Sequence, residues 1–204
     1  MTATLQLLTA NDVLASSAYA DQAAAGGGMT AEKRAFIEAC CKAVSEDFER
    51  YTGRWLKIAT YTETLDVRPH SRLLKLRAYP FDLTVPFDVR EDPYGDFAVT
   101  TPFDARDLAP VAGGRTGQIQ LRARAFCGGP QTVRVTYKGG LATDAASVPD
   151  DLKLACIEQV IYAVKRAPNL HLDSESQEGG ATSYRSSGLL DSVSRVFFGF
   201  KRVA

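Results

Sequence analysis

The residues best suited to chemistry are few and scattered. Two histidines occur, His70 in VRPHSR and His171 in NLHLDSES. Neither sits in HExxH, HxH or another spacing that converges donors on one metal ion, so both read as surface or loop histidines. The four cysteines, Cys40, Cys41, Cys127 and Cys156, form no CxxC pair. Adjacent Cys40 and Cys41 are not expected to bridge each other. The set reads as small buried hydrophobes in a reducing compartment. The GxSxG elbow and the P-loop are absent, and GGGMT lacks the lysine and the preceding strand of a phosphate loop. Asp88, Glu91, Asp92, Asp96 and Asp104 gather around turns, but DPYGD lacks the EF-hand ligand series, so they read as solvated turn residues. Arg122, Arg124, Arg134 and Lys138 could line one sheet face toward an acidic partner or DNA, although an ordinary solvated face is the simpler reading. No catalytic residue, metal or cofactor is expected.

Composition bounds the elements that would position such groups. The chain has 204 residues, 45% hydrophobic and 24% charged, enough for one ordinary domain with appendages. Lys+Arg and Asp+Glu number 24 each. The basic excess of a typical nucleic-acid binder is therefore missing, and weak self-repulsion permits dense self-association. The N-terminus lacks the charge and apolar pattern of a signal peptide. No run approaches the ~18 apolar residues of a membrane span, so no membrane partner is expected.

The order of patterns predicts an α+β fold: long N-terminal and C-terminal amphipathic helices forming a small helical bundle, an inserted antiparallel β region, and an extended C-terminal tail. Thr9 and Asp12 have capping-box spacing, which predicts a short helix over 10–19. AAAGGGMT follows as a joint, so 1–29 reads as an appendage. Thr30 caps a second helix over 30–52, with Ile37, Cys41, Val44, Phe48 and Tyr51 on one face and Gly53 at its end. Trp55 is expected to pack back onto it.

From 57 to 138 the period becomes two. IATYTETLD, RLLKLRAYP, LTVPFDVRE, DFAVTT, GQIQLRARAF and QTVRVTYK read as strands, with Ile119, Leu121, Ala123, Ala125 and then Val133, Val135, Tyr137 facing inward. The segment 102–117 reads as a long loop. Gly139–Gly140 breaks the last strand. Pro149, Asp150 and Asp151 then start a helix whose stripe is Leu154, Ile157, Ile161 and Val164, widened by Cys156 and Val160, and the expected core spans 30–166. Residues 167–188, with DSESQEGGATSYRSSG, read as a flexible linker. The segment 189–204 closes the chain as a second amphipathic stretch carrying Leu189, Leu190, Val193, Val196, Phe197 and Phe200, followed by Lys201 and Arg202. A short apolar helix beyond a linker needs a surface to bury it, in its own domain or on another protein. That favours a binding or assembly role over an enzyme.

The order FERYTGRWL, ATYTETLD, RLLKLRAYPFDLTVPFDVRED, VRVTYKGGL, VPDDLKLACIEQVIYAVKR and the Ser/Tyr-containing tail resembles the phage head–tail connector (adaptor) family, over about residues 30–202. Gene transfer agents and defective prophages carry relatives. The resemblance implies a structural virion protein that forms a closed, usually dodecameric ring under the portal. It also implies an extension of the DNA channel that passes double-stranded DNA without sequence-specific binding, and a junction to the next neck or tail-completion protein. The location implied is the virion neck, after assembly in the bacterial host cytoplasm. In the family the C-terminal segment reaches the portal, a role that falls here on Leu189 to Arg202. The alternatives are another neck or tail-completion protein (a stopper), or a small soluble enzyme with a site in the 102–117 loop. Residues 1–29 have no counterpart in the family pattern, and the 102–117 loop is longer than the family's usual hairpin.

Overall fold

The computed structural model describes residues 5–16, 30–97, 100–122, 124–167, 174–177, 180–183 and 188–201. The fold is α+β. Two compact units form, one from Met1–Thr52 with Asp144–Lys201, the other from Gly53–Thr143.

In the first unit, α1 (Ala10–Leu14) starts from Thr9. Its hydroxyl accepts from the Asp12 N–H at 3.3 Å, while the Asp12 carboxylate accepts from the Thr9 N–H at 2.7 Å, a reciprocal capping box. The helix ends at Leu14 rather than 19, because the Ser16 hydroxyl caps the Val13 carbonyl at 2.6 Å; 17–29 lie outside the described residues. Leu7, Leu8 and Val13 are fully buried, so 5–16 belongs to the helical core instead of standing apart. Lys153 meets Asp12 at 2.7 Å. Burial would raise the Asp12 pKa, but the hydrogen bonds from Lys153 and Thr9 outweigh it and hold the carboxyl below its ordinary value.

Thr30 caps α2 (Ala31–Thr52) by accepting the Lys33 N–H at 3.2 Å. Ile37, Cys41, Val44 and Phe48 are buried as expected, while Tyr51 is exposed. α3 (Asp150–Arg166) packs against α2 through Leu152, Ala155, Cys156, Gln159 and Val160, an i, i+3, i+4, i+7, i+8 face. The expected stripe is therefore rotated. Ile161 is buried, Ile157 and Val164 are half-buried, and Leu154 is 65% exposed. The face chosen carries the small residues Ala155 and Cys156, which permit close helix approach.

The second unit holds two three-stranded antiparallel sheets. In the first, β1 (Ala59–Val67) and β3 (Asp88–Glu91) flank β6 (Gly129–Gly139), with Glu63 opposite Val135 and Val89 opposite Val135 on its other side. In the second, β2 (Leu73–Lys75) and β4 (Leu108–Pro110) flank β5 (Gln118–Leu121). Both line one core that includes Tyr61, Leu74, Ile119, Leu121, Val133, Val135 and Tyr137. Several expectations need correcting. DFAVTT is not a strand where described: the Asp92 carboxylate accepts the Tyr94 and Phe97 N–H groups at 2.8 and 2.9 Å, bending the chain into a turn. The 102–117 loop contains β4 and short 3-10 turns at Ala105–Asp107 and Val111–Gly114. Trp55 stacks on Tyr61 at 4.9 Å within the sheet unit, where its backbone N–H donates to the Arg77 carbonyl at 3.0 Å.

Gly139 ends β6, and Gly140 turns the chain at φ +137. A Cβ on Gly140 would collide with the Lys57 carbonyl and the Ile58 nitrogen, all backbone, so neither conformation nor space allows a side chain. Gly53, at φ +68, faces open space. Gly140→Ala should therefore cost about 3 kcal/mol or more, from clash plus backbone strain, and Gly53→Ala about 1 kcal/mol from strain alone. Urea denaturation measures both. Equal losses would show that the close approach at Gly140 does not fix this turn.

Candidate docking face

The C-terminal helix α4 (Asp191–Gly199) is nine residues long. A helix this short is marginal in water by itself and needs tertiary packing. Val193 and Phe197, one turn apart, supply it, and both are fully buried in the helical unit. The Phe197 ring meets Phe48 of α2 edge-on at 4.8 Å, and Phe200 approaches the same ring at 5.9 Å. Gln159 of α3 fixes where the helix begins. Its side-chain oxygen accepts the Leu190 N–H at 3.0 Å, and its amide donates to the Gly188 carbonyl at 3.3 Å. The Ser192 hydroxyl donates to Glu158 at 2.9 Å.

The outer face of α4 is different. Phe198 is 64% exposed, and Lys201 lies 6.0 Å from its ring and 5.9 Å from that of Tyr51. Tyr51, Asp191, Ser194, Arg195 and Phe198 line a shallow cleft of about 580 Å³. Beside it, Asp47, Arg50, Tyr51, Gln159, Gly188 and Leu189 line another of about 420 Å³. Aromatic faces beside cations are well suited to protein recognition.

The sequence-predicted docking residues therefore separate. Val193 and Phe197 point inward; Leu189, Leu190, Val196 and Phe200 are half-buried; Lys201 is exposed; and Arg202 lies outside the described residues. Phe198, Tyr51 and Arg195 were not in the predicted set. The signal for Phe198 was present: in Phe197–Phe198, helical geometry turns adjacent side chains about 100° apart, so burying one aims the other outward.

The other candidates serve structure. Asp88 pairs with Arg90 at 3.0 Å, Glu91 accepts the Cys127 N–H at 2.6 Å, and Asp104 caps a 3-10 turn. Asp92, expected to be solvated, is buried by the turn it organises. Arg124 and Arg134 lie over Phe103 and Phe97 at 4.3 and 4.4 Å, and Lys138 pairs with Asp82 at 2.9 Å. The Thr84 hydroxyl and Lys138 pull the Asp82 carboxyl down to about 2. Cys41 and Cys156 are buried as expected, which pushes both thiols up to about 12. Cys127 is instead exposed, because the turn before β6 holds it outside the core. His70 is exposed, and His171 lies outside the described residues. Among the described residues, no group of three or more His, Cys, Asp or Glu could hold a metal ion, and no helix is long and apolar enough to cross a membrane. Residues 174–177 and 180–183, expected within a flexible linker, form a hairpin of β7 (Ser174–Gln177) and β8 (Gly180–Ser183).

No protein-family model matches the chain, and no curated protein does. Solved structures do. A chain from the neck of an empty gene transfer agent (GTA) particle, computed with C6 symmetry, is similar over 100% of this chain and 94% of its own, with a TM-score of 0.57 and 15% identity. One from the neck of a native GTA particle, computed with C12 symmetry, covers the same shares at a TM-score of 0.52 and 16% identity. One from the virion of a native GTA particle covers 94% of this chain and 92% of its own, also at 0.52 and 16%. At such identities the similarity establishes a shared fold.

The α4 geometry separates anchoring from presentation. Phe197→Ala should cost about 3–5 kcal/mol by leaving a cavity against Phe48. Phe198→Ala should change stability by no more than about 0.5 kcal/mol. Thermal unfolding of the two variants checks this, and a large loss at Phe198 would mean that its ring is part of the core.

Proposed function

We propose that this protein is a structural virion protein, a head–tail connector (adaptor) of the neck. It forms a homo-oligomeric ring under the portal, extends the DNA channel and joins capsid to tail. The observation that carries this reading is the fold, shared along the whole chain with chains from GTA necks computed with C6 and C12 symmetry. Closed rings repeat one head-to-tail contact around an axis, which matches such symmetry. A formal net charge of zero suits a channel wall that passes double-stranded DNA without gripping it. The protein works without turnover or cofactor, in the virion neck, after assembly in a bacterial host's cytoplasm. Its other partner is the next neck or tail-completion protein.

On this reading the frame is a small helical bundle with an inserted antiparallel β region and a C-terminal tail. The docking segment is Leu189, Leu190, Val193, Val196, Phe197, Phe200, Lys201 and Arg202. Phe197 anchors the helix on Phe48, with Val193 buried one turn before it, and the outward residues, now with Phe198 and Arg195, meet the portal. Aromatic and arginine side chains are the usual anchors of such contacts.

Capture by purified portal-bearing particles tests the proposal. The full-length chain should be retained. Phe198→Asp combined with Arg195→Glu should weaken retention by about tenfold or more, with unfolding temperature and circular dichroism unchanged. Failure of the unaltered chain to bind such particles would overturn the neck assignment. Unchanged binding by the double variant would overturn the docking face alone.

A further inference from the structure

α3 is apolar on two sides, and its packing within the helical unit uses one. It meets α2 through Leu152, Ala155, Cys156, Gln159 and Val160. Glu158 and Gln159 hold α4, and Lys153 reaches Asp12 of α1. The side left over carries Leu154, Ile157, Ile161 and Val164, spaced i, i+3, i+7 and i+10. Leu154 is 65% exposed, Ile157 and Val164 are half-buried, and Ile161 alone is buried. A helix that is apolar on opposite sides ordinarily has both covered, and an apolar stripe left open marks a contact site.

The outer face of α2 fits such a stripe. Ile37, Cys41, Val44 and Phe48 turn inward. Away from them stand Ala35, Phe36, Ala39 and Ala43, all exposed, with Phe36 at 44%. Alanines at i, i+4 and i+8 make a shallow surface that lets a second helix approach closely, and Phe36 borders it. Charge sets the direction. Glu32 and Arg50 stand on this same side of α2, about 27 Å apart along the axis, while Asp150 and Lys165 flank the α3 stripe at ends about 23 Å apart. With the helices antiparallel, Glu32 meets Lys165 and Arg50 meets Asp150; with them parallel, like charges would meet at both ends. Among the described residues, Glu32, Asp150 and Lys165 form no ion pair, and Arg50 has a solvent-exposed one with Asp47 at 3.1 Å.

We propose that the Leu154, Ile157, Ile161 and Val164 stripe of one copy packs antiparallel on the Ala35–Ala43 face of α2 in a second copy. The bulky stripe fills the shallow alanine face, and the end charges fix direction and register. The two faces differ and lie on opposite sides of the α2–α3 pair. The contact is therefore head-to-tail and can close into a ring. In that respect it rests on the neck reading.

Disulfide trapping tests it with full-length chains in a Cys40→Ser, Cys127→Ser background, which removes the half-buried and the exposed thiol. One population carries Leu154→Cys; the other carries Ala43→Cys or, in a second series, Phe36→Cys. The two are mixed at high concentration under a mild oxidant, both free and on portal-bearing particles. Leu154→Cys should form a reducible heterodimer with Ala43→Cys about tenfold more readily than with Phe36→Cys, which the antiparallel register places about two helical turns away. Glu32→Lys in the Ala43→Cys chain should cut the yield about fivefold, and Lys165→Glu in the Leu154→Cys chain should restore it. No heterodimer in either series overturns the docking. Shielding of the Leu154→Cys thiol from a soluble maleimide in the free chain would then assign the stripe to its own chain, and shielding only on particles would assign it to the portal. A preference for Phe36→Cys overturns the antiparallel arrangement. Heterodimers from a protein that portal-bearing particles never capture would sink the neck reading and leave the helix pairing standing.

Discussion

A buried carboxylate holds the sheet unit together. Glu63 sits on the inward row of β1, between Tyr61 and Leu65, where a strand normally places apolar side chains. Removing an ionised group from water costs several kcal/mol unless donors surround it. Here the Tyr137 hydroxyl and the Arg77 N–H donate to it, the Arg77 guanidinium lies 3.8 Å away, and Tyr137 in turn accepts the Ala78 N–H at 2.9 Å. Burial, then the Glu63 charge, pushes the Tyr137 phenol far above its ordinary value, so it remains a donor. One cluster thus ties β1, β6 and the chain after β2. It also fixes register: a slip of one residue would turn Glu63 outward and leave the Tyr137 hydroxyl and the Arg77 N–H without their acceptor.

Gln159 plays the corresponding part in the helical unit. It is the polar member of α3's buried face, and both ends of its amide are satisfied at the entry to α4. A buried amide with one end unsatisfied would be costly, so chain entry at Gly188–Leu190 and the packing of α3 are fixed together. α4 then has little rotational freedom. With Val193 and Phe197 buried and the Phe197 ring against Phe48, Phe198 must face out. The candidate docking face thus follows from one buried glutamine and the helical period.

Elements whose own residues determine them were legible in the sequence: the caps at Thr9 and Thr30, the buried face of α2, and the inward row Val133, Val135, Tyr137 of β6. Elements determined by distant partners were not. β2, β4 and β5 have three or four residues each, and pairing, not local pattern, defines them. DFAVTT alternates like a strand, but two backbone bonds to Asp92 override the pattern. α3 is apolar on more than one side, so the sequence could not choose between Leu152 and Leu154. Trp55 follows α2 in sequence, whereas its ring belongs with Tyr61 and Arg77. In the stretch that forms α4 the apolar stripe is legible, but which side of it is buried is not, because that depends on Phe48.

On the proposed reading, α4 offers the portal aromatic rings beside cations on one nine-residue helix. That is not large enough to bind tightly by itself: a standard interface needs roughly 800 Å² per partner. On the proposed reading, weak elements are an advantage. A closed ring makes every contact many times at once, so small individual affinities multiply into a stable assembly, while a single free chain seldom engages a wrong partner for long.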